Sequence, residues 1–144
     1  MLDKYYKFKA DSFLKDYKTN KKQLAELNIQ YKNVLDEGGM DYSKPVVSGG
    51  GTSDVVARKA SRREQIGNKI AELEEYFRIY NLIVSELTEE EKYIVDNFIL
   101  ATVPKSVAQV GCMKHMHVQS TEFYRRLDRL RYKIQEIADV VITR

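Results

Sequence analysis

Residues 106–133 read SVAQVGCMKHMHVQSTEFYRRLDRLRYK, and their periodicity decides the fold. The stretch predicts a short helix from 106 to 114, a tight connection HMHVQS, and a long basic helix from Gln119. Phe123, Leu127, Leu130, Ile134, Ile137 and Val141 recur at alternating steps of four and three, which draws one apolar stripe along a helix. Glu122, Arg125, Arg129 and Tyr132 fall off the stripe, so the exposed face is expected to be mostly cationic. A small apolar helix packed on such a basic helix is compatible with reading a DNA groove. The same residues also suit a helix–helix corner with a solvated charged face. Val107, Val110 and Met113 are the expected core partners of the stripe, and Cys112 is expected to be a small core residue.

Working outward, the chain upstream reads as helix throughout. Residues 3–37 place Phe13, Tyr17, Asn20, Leu24, Leu27, Tyr31 and Val34 on a heptad seam with one polar interruption. Residues 53–87 repeat the pattern with Ile66, Ile70, Leu73, Phe77, Tyr80, Val84 and Leu87. Between them, 38–52 (GGMDYSKPVVSGGGT) reads as a flexible loop. Gly38 and Gly39 would stop the first helix, Pro45 and the glycines 49–51 would keep the rest non-helical, and Ser53 or Asp54 would cap the second. GGGTSD does not match a phosphate-binding loop, and no strand precedes it. The two helices predict an antiparallel hairpin that buries little surface alone, which points to a homodimer.

Thr88-Glu89-Glu90-Glu91 is a capping-box start. It opens a helix over 89–101 that turns Tyr93 or Ile94, Phe98 and Ala101 to a core, and Pro104 ends it. Ser106 would cap the next helix. The expected fold is therefore all-α. A long, coiled-coil-like N-terminal hairpin (1–87) precedes a C-terminal three-helix, helix–turn–helix domain (88–144).

Charge and composition narrow the function classes. Net charge is +3 over 144 residues. From Lys105 onward, however, eight basic residues face four acidic ones, and a cationic tail suits a polyanion partner. A single cysteine excludes an internal disulfide and a cysteine metal cluster. His115 and His117 stand two apart without carboxylates to complete a metal shell, and read as polar turn residues. No residue set makes a case for an enzyme, a cofactor or a metal. No apolar run resembles a signal peptide or a membrane span, so a cytoplasmic location is expected.

LTEEEKYIVDNFI, SVAQVG and EFYRRLDRLRYKI together resemble sigma factor region 4 and related helix–turn–helix domains. Gln109-Val110-Gly111 stands where that pattern has E-I-A, and Glu122-Phe123-Tyr124-Arg125-Arg126-Leu127 where it has T-V-Y-R-R-L. The whole order, with a glycine-rich loop between heptad helices, is similar to small phage transcription regulators of the RinA/ArpU type. The turn departs from the pattern in lacking glycine and being longer. Gly111 also replaces the alanine expected where the helices cross.

The resemblance implies a regulator, expected to be an activator, of phage or pathogenicity-island late genes. Its partners would be double-stranded DNA and RNA polymerase. It also implies that Gln119, Ser120, Thr121, Glu122 and Arg125 read bases while Arg126 and Arg129 follow phosphate. The fork of Arg125 can bond guanine bidentately, and Glu122 can accept from cytosine or simply favour the first helical turn. Lys105 and Ser106 suit phosphate contacts at the start of the supporting helix. Two alternatives stay open: a small-terminase-like DNA-packaging protein, and a helical protein-interaction scaffold without DNA.

Overall fold

The computed structural model describes residues 9–40 and 51–142, with side chains described for 9–34 and 55–142. All regular structure among them is helical. The elements are α1 (Ala10–Met40), α2 (Gly51–Ser85), α3 (Glu89–Ile94) continued by a π-helical segment (Val95–Ile99), α4 (Lys105–Met116) and α5 (Ser120–Ile142). No helix among the described residues is long and apolar enough to cross a membrane.

The chain divides into two compact units, and α1 and α2 contribute to both. The first unit comprises Met1–Lys18 and Tyr76–Arg144; the second comprises Thr19–Glu75. The second unit is the two-helix part. Its buried residues are Asn20, Leu27, Val34, Ile66 and Leu73, with Leu24, Tyr31 and Ile70 half-buried. All of them belong to the heptad seams, because a helix with a single neighbour needs only one apolar stripe.

In the first unit α2 is buried on a wider arc. Tyr80 and Leu87 continue the seam, but Tyr76, Ile79 and Ile83 are also buried. An aromatic cluster joins α1 and α2 here. Phe13 meets Tyr76 at 4.7 Å between ring centroids, and Tyr17 meets Tyr80 at 4.5 Å and Phe77 at 5.5 Å. The Tyr76 hydroxyl donates to the Phe13 carbonyl at 2.5 Å, so this buried ring keeps its polar end satisfied.

The capping box forms as expected. The Glu91 amide donates to the Thr88 hydroxyl at 3.2 Å, and the Thr88 amide to the Glu91 carboxylate at 2.8 Å. The following helix does not stay α-helical to 101. From Val95 it widens into a π-turn, closed by the Leu100 amide on the Val95 carbonyl at 2.8 Å. Ile94, Val95, Phe98 and Ile99 are all buried along it. The Asn97 side-chain amide donates to the Tyr93 carbonyl.

Other boundaries differ from expectation as well. α1 continues through Gly38 and Gly39, because glycine weakens a helix without ending it unless it turns left-handed, and no described glycine does so. α2 starts at Gly51, so Ser53 and Asp54 lie inside its first turn; the rest of the expected loop, 41–50 with Pro45, lies outside the described residues. Pro104, not Ser106, takes the N-cap of α4: its carbonyl accepts from the amides of Val107 and Ala108.

α4 packs against α3, the π segment and α5. It does so through Ala108 and Cys112, both buried. The expected partners Val107 and Val110 face outward, at 57% and 50% exposure. Gly111 has open space where a side chain would stand, so it is not the crossing point. Ala108, three residues earlier, is the small buried residue of this helix.

Candidate nucleic-acid interface

α5 is positioned by its stripe. Phe123, Leu127, Leu130, Ile134 and Ala138 are buried, while Ile137 and Val141 are half-buried. The drift from 137 to 138 is that of a 3.6-residue helix running past a 3.5-residue repeat. Phe123 meets Phe98 edge-on at 5.1 Å.

The connection from α4 to α5 is three residues, His117 to Gln119. His117 is left-handed (φ 56, ψ 46), the single described non-glycine residue with positive φ. The Val118 amide donates to the Met113 carbonyl at 3.1 Å and the His117 amide to the Lys114 carbonyl at 3.4 Å. This pair of bonds is a Schellman C-cap, with histidine where glycine is usual. Nearby, the His115 ring stacks on Tyr93 at 3.8 Å. A shallow, open groove beside the turn is lined by Val110, Met113, Lys114, His117, Val118 and Gln119.

Gln119, Ser120 and Thr121 are exposed at the start of α5. Arg125 and Arg129 are exposed on its next two turns. Tyr124, also exposed, donates to the Gln109 side chain at 2.7 Å and ties α5 to α4 at the surface. Ser106 is exposed in the first turn of α4.

Lys105, exposed overall, folds its ammonium back onto the π segment instead. Its ammonium donates to the Phe98 carbonyl at 2.7 Å and lies 4.4 Å from the centre of the Phe98 ring. Burial, with Lys15 nearby, holds its pKa below the ordinary lysine value.

The other cations of α5 are largely engaged by carboxylates. Arg126 donates to Glu122 at 3.1 Å and to Glu90 of α3 at 2.8 Å. Lys133 donates to Glu91 at 2.7 Å. Arg131 holds Asp11 of α1 through two bonds of 3.0 and 2.7 Å. Arg125 reaches Glu122 at 2.9 Å. Among the described residues Arg129 makes no ion pair, although it lies within the field of Glu122. The hydrogen bond from Arg126 and the positive charge of Arg125 hold the Glu122 carboxyl below its ordinary range.

The outer face is consequently not mostly cationic. Arg125 and Arg129 share it with Asp128, and Glu136 and Asp139 follow. The second role of Glu90 and Glu91 was hidden in the sequence. Their position announces a helix start, while their pairing with Arg126 and Lys133 spans 36 and 42 residues. No group of three or more potential ligands that could hold a metal occurs among the described residues. No family model, curated protein or solved structure matches the chain.

Proposed function

We propose that α4 and α5 act as a helix–turn–helix and that the N-terminal half of α5 binds the major groove of duplex DNA. The observation that carries this reading is the open start of α5. Gln119, Ser120, Thr121, Arg125 and Arg129 are all exposed there, immediately after a tight turn from a shorter supporting helix. Polar side chains and arginine forks on the first turns of such a helix are the groups that read base edges. The resemblance of SVAQVG and EFYRRLDRLRYKI to sigma region 4 extends the proposal to a transcription regulator of the RinA/ArpU type, acting at phage or island late promoters.

Within this reading Arg125 specifies and Arg129 anchors. Lys105 and Arg126, engaged elsewhere in the fold, add less than their charge suggests. Duplex binding measured by fluorescence anisotropy across a salt series tests it. Affinity should fall steeply between about 50 and 200 mM salt. Arg125→Ala should remove preference for the selected site, while Arg129→Ala should weaken binding to all duplexes and lower the salt slope by about 1. Binding that is absent, or identical in both variants and the parent, overturns the assignment.

A protein-interaction module is the second reading. It is favoured by Val103, Val107 and Val110, all about half exposed along one side of α4 and the loop before it.

A further inference from the structure

We propose that Glu122 is an internal counter-ion that sets how selectively α5 accepts a polyanion. The proposal rests on the DNA-binding reading above and identifies a control built into that surface. One carboxylate serves two guanidiniums: Oε2 accepts from Arg125 at 2.9 Å and Oε1 from Arg126 at 3.1 Å. Arg126 is held in turn by Glu90 at 2.8 Å. The set of Arg125, Arg126, Glu122 and Glu90 is therefore neutral before any ligand arrives.

A guanidinium binds anions through a fixed fork of N–H groups. One N–H of Arg125 already points at Glu122, and Arg126 is occupied from two sides. A backbone phosphate must displace a carboxylate to engage either of them. It gains only the difference between two similar charge-assisted bonds. A guanine edge matched to Arg125 offers two bonds at once and displaces Glu122 more readily. Non-specific attraction is thereby reduced while the matched contact is kept. The side chain of Arg125 is 57% exposed, so the fork remains accessible once released.

Glu122→Gln removes the counter-charge at a half-exposed site with little change of shape. Glu136→Gln is the control. It removes the same charge from an exposed position in the C-terminal half of the same helix, outside the half proposed to bind DNA. On a duplex of mixed sequence, Glu122→Gln should tighten binding about fivefold, the scale of one or two exposed pairs. It should also steepen the log affinity against log salt slope by about 1, because a further cation reaches phosphate. Glu136→Gln should leave that slope unchanged.

A second readout needs no DNA. In nitrogen-15 spectra the Arg126 Nε–H signal should broaden or exchange faster in Glu122→Gln than in the parent. If the parent binds duplex but both variants show one slope, the role of Glu122 is overturned and DNA binding stands. If neither the parent nor either variant binds duplex at low salt, the DNA-binding reading falls and takes the proposal with it. An Arg126 signal unchanged by Glu122→Gln also overturns the counter-ion role.

Discussion

Two residues show how local chemistry is spent in this chain. His117 occupies a left-handed position at the C-cap of α4, which costs a side-chain-bearing residue about 1 kcal/mol or more. The residue is exposed and its ring makes no described hydrogen bond, so His117→Gly relieves the strain. Part of the gain is offset by the freer unfolded chain. The expected outcome is a net stabilisation of about 0.5 kcal/mol, visible as a small rise in Tm.

Glu91 closes the capping box and also accepts from Lys133. Burial raises its carboxyl pKa, but the bonds from Lys133 and Thr88 outweigh burial, and the pKa lies below its ordinary value of 4.5. A carboxyl depressed on folding stabilises the fold above that ordinary value, and the contribution is lost as pH falls through the folded pKa. Glu91→Gln should therefore lower stability at neutral pH. The gap to the parent should close as pH falls below that ordinary value, as urea denaturation at several pH values would register. A gap independent of pH would mean that the carboxylate carries no such linkage. The capping box was legible from T-E-E-E alone, whereas the Lys133 contact was not.

At the scale of elements, periodicity located every helix, and Cys112 and the half-buried Met113 of α4 face the core as expected, but Val107 and Val110 were placed on the wrong side. α5 has a single continuous stripe and was readable, apart from Ala138. α4 has small and apolar residues all round, so valine at 107 and 110 competed with alanine and cysteine at 108 and 112 for the core. The small residues won because α4 packs against α3, the π segment and α5, and close approach favours short side chains. The two faces can be compared directly by urea denaturation. Leu127→Ala, at a fully buried position, should cost about 2–5 kcal/mol. Val107→Ala should cost no more than about 0.5 kcal/mol. Equal losses would place Val107 inside after all.

At the scale of the whole molecule, the two units differ in the depth of their cores. The unit formed by Thr19–Glu75 buries seam residues only, Asn20 among them, whereas the other buries aromatic and aliphatic side chains from every helix. Local opening free energy follows the density of buried apolar contacts. Native-state hydrogen exchange should therefore show weaker protection in 20–34 and 58–74 than in 76–83 and 123–138. Uniform protection would mean that the seam is reinforced, as it would be by a second copy of the chain.

The all-helical class, the heptad seams, the capping box and the stripe of α5 followed from the sequence by itself, because each depends on residues within one or two turns of one another. Three features were decided only by the tertiary structure. The ends of α1 and α2 join the core of α3–α5, the start of α3 supplies the counter-ions of α5, and the Lys105 ammonium folds back to the Phe98 carbonyl. Each depends on which distant groups meet, and periodicity carries no information about that. An arginine's spacing tells which way it faces on its helix; only packing tells whether a carboxylate is waiting there.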